Sequence, residues 1–148
     1  MTSDEHRFVI LLVEDEPADA HLVQVALNEN RILADVRHAV DGREALDYLR
    51  RQGPRFAEAP RPDLILLDLN MPRMDGREFL AAIKLERDFR QIPVVVLTTS
   101  EVERDVIASY HLGAAGYITK PVDLQQFMEA IRDVGDYWFD LVRLPKKD

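Results

Sequence analysis

The chain has 148 residues, of which 47% are hydrophobic and 31% charged, a composition typical of a globular domain and not of a disordered or coiled-coil protein. Its 19 basic and 27 acidic side chains give a net charge of −8. This charge argues against broad binding to nucleic acid or anionic membranes, because such binding needs a basic surface. There is no cysteine, which excludes disulfides, thiolate zinc sites and cysteine nucleophiles.

The longest apolar run covers residues 8–13, and acidic residues flank it on both sides. It is far shorter than the ~20 residues that a helix needs to cross a bilayer. The first residues also lack the basic start and the small-residue cleavage site of a secretory signal. We therefore expect a cytoplasmic protein.

Short apolar runs alternate along the chain with longer stretches of helical period. The predicted strands are residues 8–13, 35–40, 64–67, 94–97 and 117–119. The first, third and fourth are continuous apolar runs, as expected of strands that are buried on both faces. The second alternates apolar residues with charges, which is typical of a strand nearer the edge of a sheet.

Apolar residues recur at helical spacing in five stretches, which follow the five strands in turn. These stretches are residues 22–27, 45–49, 79–83, 102–110 and 124–134. Pro17 suits the first turn of the first helix, and Asp123 suits the N-cap of the last. Five alternations of strand and helix predict an α/β fold, in which helices cover a parallel sheet.

Two segments are additional to the strands and helices of a minimal α/β domain. Residues 51–62 contain one glycine and three prolines, which predicts a long exposed loop. Residues 136–148 form an apolar C-terminal extension that includes Tyr137, Trp138, Phe139 and Leu141. These 13 residues are too few for a DNA-binding domain.

The aromatic residues of the extension have two interpretations. They could continue the last helix and fold back on the core, or they could be buried against a second subunit. The sheet and its helices are complete by about Val134, so little core is left for them to cover. An exposed apolar patch of this size usually marks an interaction site. We therefore favour a homodimer whose interface includes these residues.

Polar side chains stand where the predicted strands end. Glu14 and Asp15 follow the first strand, Asp68 closes the third, Thr98 the fourth and Lys120 the fifth. The carboxyl ends of parallel strands share one edge of a sheet, where ligands bind. We therefore expect these side chains to converge.

Three crowded carboxylates are costly unless cations neutralise them. Lys120 and one divalent cation would balance the three negative charges, and a set of oxygen ligands suits Mg²⁺. The arrangement permits phosphoryl transfer to a carboxylate. Asp68 would be the nucleophile, and the Thr98 hydroxyl would hydrogen-bond the product.

Four motifs in this order resemble the receiver domain of two-component response regulators. They are VEDEP at 13–17, LLDLNMPRMDG at 66–76, LTTS at 97–100 and YITKP at 117–121, and the likeness covers roughly residues 7–135. The resemblance implies a flavodoxin-like receiver fold, a doubly wound five-stranded parallel sheet of order 2-1-3-4-5 with five helices. The extension at 136–148 would follow this domain.

The resemblance also implies metal ligands and a phosphoacceptor. Asp68 would accept the phosphoryl group in the presence of Mg²⁺ or Mn²⁺. Asp15 would bind the metal directly, Glu14 would usually act through water, and Asn70 would offer its backbone carbonyl. Asn70 and Ser100 occupy the positions at which family members tune their self-dephosphorylation.

Further residues match the family's phosphate-binding and switch positions. Thr98 and Tyr117 would be the switch pair, in which the hydroxyl moves onto the phosphate and the aromatic ring rotates inward. Lys120 would form an ion pair with the phosphate. The peptide bond between Lys120 and Pro121 would be cis, a state found in only ~5–6% of X–Pro bonds.

A narrower resemblance concerns the ends of the chain and its loops. The 51–62 loop, the segments at 70–78 and 92–100 and the aromatic C-terminal residues are similar to single-domain regulators paired with bacterial phytochromes. The implied donor is a phosphohistidine on a sensor histidine kinase, a bacteriophytochrome among the candidates. A downstream phosphotransfer or target protein would receive the signal, with no separate substrate turned over and no nucleic acid or membrane bound.

Three alternative functions are each disfavoured by residues of the sequence. A flavin or redox protein of the same fold would need a phosphate cradle after the first strand, where this chain has acidic residues. A Mg²⁺-dependent phosphatase would need a second carboxylate two residues after Asp68, where Asn70 stands. A receiver-like domain that only docks partners is disfavoured because each chemical position is filled.

Overall fold

The computed structural model describes residues 8–29, 34–69, 76–98 and 113–119, together with positions 125 and 129. Strands and helices alternate along these residues, which confirms the predicted α/β class. The elements are β1 (Phe8–Val13), α1 (Pro17–Glu29), β2 (Ala34–Ala39), α2 (Gly42–Arg50), a 3-10 turn (Pro54–Phe56), β3 (Leu64–Asp68), α3 (Gly76–Lys84), β4 (Val94–Thr98) and β5 (Gly116–Thr119).

The five strands form one sheet in the order β2-β1-β3-β4-β5, and every neighbouring pair is parallel. This confirms the 2-1-3-4-5 order and the edge position of β2. Each strand begins and ends within one residue of its predicted bounds. The crossovers bring the carboxyl ends of all five strands to one edge of the sheet, here called the carboxyl edge.

Apolar residues cover both faces of the sheet because successive strand residues point to opposite sides. Leu11 and Val13 of β1 pack in one core cluster with residues of α2 and α3. Phe8, Ile10 and Leu12 pack in a second cluster with residues of α1. All six residues of β1 are buried, which explains why the run from 8 to 13 has no polar alternation.

Helix α2 is capped at both ends. Its N-cap residue is Asp41, whose side chain accepts a hydrogen bond from the Glu44 N–H at 2.8 Å. At its C-terminus Arg51 takes the left-handed conformation, with φ of 53° and ψ of 44°. The Gln52 N–H then donates to the Asp47 carbonyl at 2.9 Å, which satisfies an acceptor in the last turn.

The segment 51–62 is mostly exposed but is bonded to helix α2. Its 3-10 turn places Phe56 against Tyr48 of α2 in an edge-to-face contact, with ring centroids 5.5 Å apart. The Tyr48 hydroxyl donates to the Pro60 carbonyl at 2.9 Å, and Arg51 Nε donates to the Ala59 carbonyl at the same distance. The predicted exposed loop is thus confirmed for most of the segment, but Ala59 and Pro62 are buried and the segment is bonded to α2.

The fourth and fifth predicted helices and the extension at 136–148 lie outside the described residues, apart from positions 125 and 129, which are helical. Among the helices that are described, none is long and apolar enough to span a membrane.

Candidate functional site

Three acidic residues meet at the carboxyl edge. Val13 pairs with Leu67 across β1 and β3, so the next residues of the two strands, Glu14 and Asp68, lie side by side. Asp15 follows Glu14, and each of the three side chains places one carboxylate oxygen within 4.8 Å of the others. The structure thus brings together the three acids that the strand ends predicted to converge.

The three carboxylates differ in their exposure to solvent. Glu14 is 0% exposed and Asp68 is 5% exposed, whereas Asp15 is exposed. Two carboxylates buried beside each other repel and lose hydration, which is unfavourable unless a cation or hydrogen-bond donors compensate. The exposed Asp15 leaves one side of the group open to water, through which an ion could enter.

The backbone around Glu14 is held by the end of β2. The Glu14 N–H donates to the Ala39 carbonyl at 3.0 Å, which continues the β1–β2 ladder by one residue. On the other side of the residue, His38 Nε2 lies 2.7 Å from the Glu14 carbonyl oxygen. The Glu16 N–H donates to Glu14 Oε2 at 3.3 Å and so contributes to orienting the buried carboxylate.

Gly76, the first residue of α3, lies directly against the backbone of Asp68. Its N–H donates to the Leu69 carbonyl at 3.0 Å. A Cβ atom at this position would lie 2.5 Å from the Asp68 carbonyl oxygen and 2.7 Å from Leu69 Cα. Only glycine fits here without displacing the backbone that carries Asp68.

Sequence reasoning missed both Gly76 and His38 as neighbours of the site. Gly76 was quoted only as the last residue of the motif at 66–76, with no role of its own. None of the four histidines was assigned a role, because they share no spacing. Gly76 lies in the same sequence motif as Asp68, eight residues after it, and could have been associated with the site on that ground. No pattern in the sequence connects His38 with Glu14.

The structure describes the other predicted site residues only in part. Thr98 ends β4 at the carboxyl edge, where its backbone pairs with Thr119. Tyr117 of β5 is partly buried and packs against the core cluster on the α2–α3 side. The remaining predicted positions, which lie outside the described residues, are Asn70, Ser100, Lys120, Pro121, Tyr137, Trp138, Phe139 and Leu141.

The set of donors suits a hard divalent cation. All three side chains offer carboxylate oxygens, and the described residues near them contribute no thiolate or imidazole ligand to the group. Mg²⁺ binds oxygen at about 2.0–2.1 Å, usually through one or two carboxylates together with waters. Ligand oxygens on opposite sides of such an ion are about 4 Å apart, a separation compatible with this cluster.

The family model for the response regulator receiver domain matches residues 10–132 of the chain. The chain belongs to the response regulator receiver family. The relatives it resembles include Response regulator Rcp1 from Synechocystis, which is 47% identical over 137 residues, or 93% of this chain and 92% of the relative. The two sequences therefore match over most of both their lengths.

Solved structures of other receiver proteins share the fold. The bacteriophytochrome response regulator AtBRR is 39% identical, with a TM-score of 0.84 over 97% of this chain and 99% of its own. The Mn²⁺-bound form of response regulator Rcp1 is 47% identical, with a TM-score of 0.70 over 93% of this chain and 99% of its own. The phosphorylated cyanobacterial phytochrome response regulator RcpA is 45% identical, with a TM-score of 0.73 over 95% of this chain and 100% of its own.

These comparisons confirm the predicted resemblance to receiver domains, including the narrower one to regulators of bacterial phytochromes. They favour the receiver class over the flavin and phosphatase classes that the sequence analysis compares with it. In this receiver domain the acidic group at the carboxyl edge is of the kind that holds the family's divalent cation.

Proposed function

We propose that this receiver domain accepts a phosphoryl group on Asp68, with a Mg²⁺ ion held by Glu14, Asp15 and Asp68. The observation that carries the proposal is the convergence of these three carboxylates within 4.8 Å at the carboxyl edge. Asp68 is the member of the group that ends a buried strand, so its side chain is held at a fixed level of the sheet. The Mn²⁺-bound and phosphorylated relatives support the same assignment.

The reaction needs a nucleophile and a means to offset negative charge. An oxygen of the Asp68 carboxylate attacks the phosphorus of a phosphohistidine on the donor kinase. An O–P bond forms while the N–P bond breaks, and the electron pair of that bond stays on the histidine nitrogen, which then takes a proton. Bound Mg²⁺ would stabilise the negative charge on the phosphoryl oxygens.

The three residues contribute differently to this step. Glu14 and Asp68 are buried, so their carboxylates are fixed before the phosphoryl donor arrives. Asp15 is exposed and completes the ligand set from the solvent side. The resulting acyl phosphate is later hydrolysed, and we expect the chain to turn over no other substrate.

Acetyl phosphate tests the assignment, because it replaces the kinase as phosphoryl donor. Intact mass is measured after incubation with and without Mg²⁺, on the wild type and on Asp68→Asn. We expect one added phosphoryl group that requires Mg²⁺ and is absent from Asp68→Asn. The matched control is Asp88→Asn, which makes the same chemical change on an exposed turn between α3 and β4.

Each outcome bears on the proposal. Phosphorylation of Asp68→Asn at the wild-type level would move the phosphoacceptor to another residue. A folded wild type that binds Mg²⁺ and takes no phosphoryl group would instead support a domain that only docks partners. Loss of phosphorylation in Asp88→Asn would show that the assay reports general damage and not the site.

We propose a sensor histidine kinase of the bacteriophytochrome class as the phosphoryl donor and the cytoplasm as the compartment where the two meet. The support is that AtBRR and RcpA are named as phytochrome response regulators. The test is phosphotransfer from a purified bacteriophytochrome kinase to the wild type and to Asp68→Asn. Transfer to the wild type that is no faster than from an unrelated histidine kinase would refute the pairing.

We further propose that the chain forms a homodimer through its C-terminal extension, residues 136–148. The support is the run of large apolar residues there, after the last segment that a receiver fold requires. Light scattering on the full chain and on a truncation after Gly135 tests this proposal. We expect a dimer and a monomer respectively, and a truncated chain that stays dimeric would refute the role of the extension.

A further inference from the structure

We propose that His38 is a positioning residue for the metal site, acting through its hydrogen bond to the Glu14 backbone. The proposal rests on the proposed function, since it concerns the same acidic group. His38 Nε2 lies 2.7 Å from the Glu14 carbonyl oxygen. A carbonyl oxygen can only accept, so Nε2 carries the hydrogen and donates it.

The position of the His38 ring beside Glu14 follows from the topology of the sheet. The β1–β2 ladder continues one residue beyond β1, where the Glu14 N–H donates to Ala39. β2 ends at Ala39, and the chain then turns into α2 at Gly42. The His38 ring therefore supplies a donor to the Glu14 carbonyl at the point where the strand leaves the sheet.

The carbonyl that His38 contacts belongs to the peptide unit joining Glu14 and Asp15. This unit is planar, so fixing its carbonyl direction also fixes the direction in which the chain enters Asp15. Glu14 and Asp15 both contribute oxygens to the cluster. One hydrogen bond thus constrains the relative orientation of a buried carboxylate and an exposed one.

His38 is also placed so that it can be replaced without opening the core. Its side chain is partly exposed, so the ring does not lie in the enclosed core. A substitution at His38 therefore leaves neither an enclosed cavity nor an overpacked site. This allows its effect on the metal site to be separated from its effect on folding.

The test compares Mg²⁺ affinity, measured by isothermal titration calorimetry, in the wild type, His38→Leu and His38→Gln. Leucine removes the donor, whereas glutamine retains an amide N–H of comparable reach. Loss of hydrogen bonds that orient metal ligands typically lowers metal affinity about 10–100-fold. Because this bond acts through the backbone, we expect a roughly tenfold loss in His38→Leu and a change of less than about threefold in His38→Gln.

Two controls separate positioning from folding. His21→Leu makes the same substitution on the exposed face of α1, and its Mg²⁺ affinity should match that of the wild type. The midpoint of thermal unfolding, measured in EDTA, should be similar for all variants. If His38→Leu does not fold, His38→Asn replaces it, because asparagine has the same amide as glutamine on a shorter side chain.

The outcomes distinguish this proposal from the proposed function. A His38→Leu variant that binds Mg²⁺ as tightly as the wild type overturns the role of His38 and leaves the metal site in place. Equal losses in His38→Leu and His38→Gln also overturn it, because the donor would then be irrelevant. A folded wild type that binds no Mg²⁺ overturns the metal site itself.

Discussion

Replacing Gly76 by alanine should disturb the phosphoacceptor, although alanine is the better helix former. In an ordinary helix this substitution stabilises the fold by roughly 0.5–1 kcal/mol. Gly76 is different because its backbone approaches that of Asp68 and Leu69. The added Cβ would lie 2.5 Å from the Asp68 carbonyl oxygen, whereas ordinary contacts begin at 3.4 Å.

The loss of stability can be estimated from this distance, which is 0.9 Å shorter than an ordinary contact. The two nearest atoms belong to the backbone, so no side-chain rotation can relieve the contact. Overpacking of this kind costs about 1–3 kcal/mol, which outweighs the gain in helix propensity. We expect a net loss of about 1–2 kcal/mol, equivalent to a fall of roughly 2–8 °C in the unfolding midpoint for a chain of this length.

The same strain should also distort the metal site. The backbone must move away from Gly76, and the Asp68 carboxylate moves with it relative to Glu14 and Asp15. Thermal unfolding in EDTA and Mg²⁺ titration are therefore measured on Gly76→Ala and on Gly53→Ala. Gly53 has a φ of 84°, so alanine is strained there as well, but no other atom lies within 4 Å of its added Cβ.

We expect both variants to lose stability and Gly76→Ala alone to lose Mg²⁺ affinity. A Gly76→Ala protein that is more stable than the wild type would refute the reasoning, because helix propensity would then outweigh the contact. Equal losses of Mg²⁺ affinity in the two variants would show that affinity simply follows stability.

Three further predictions concern single side chains. Tyr48→Phe loses the hydrogen bond to the Pro60 carbonyl and should cost about 1 kcal/mol in urea unfolding. Burial raises the pKa of Tyr48, so the wild type should lose stability as the pH rises above about 10, and Tyr48→Phe should lose less. Asp63→Ala removes the acceptor of the Val9 N–H and should cost about 1–2 kcal/mol with unchanged Mg²⁺ affinity. Asp68→Asn removes a buried charge, so its unfolding midpoint in EDTA should exceed that of the wild type, and a lower midpoint would contradict this account.

The fold could be predicted because its determinants are local in the sequence. Continuous apolar runs mark strands buried on both faces, and the charges in β2 mark the edge strand. The 51–62 segment was predicted less well, since its position depends on tertiary contacts. Three prolines and a glycine indicate an irregular segment, but they do not reveal that Tyr48 and Arg51 bond it to α2.

The acidic site could be predicted for a different reason. The carboxyl ends of parallel strands must meet at one edge, so residues far apart in sequence can be placed together from topology alone. Gly76 and His38 could not be found in this way. Their contacts depend on distances between backbone atoms and on the direction of one ring, which neither strand order nor composition specifies.

The site and the fold place opposing demands on the same residues. A buried Asp68 beside a buried Glu14 is unfavourable for folding, yet a carboxylate held in that position is what a phosphoryl acceptor requires. The surrounding backbone resists this repulsion through contacts that bear no charge, namely the Gly76 approach behind Asp68 and the Ala39 and His38 hydrogen bonds to Glu14. A ligand that binds the folded state alone stabilises it in proportion to the logarithm of its concentration, so Mg²⁺ would offset the same repulsion from the solvent side. Because Gly76→Ala and His38→Leu are also expected to weaken Mg²⁺ binding, they should lower the unfolding midpoint more in saturating Mg²⁺ than in EDTA.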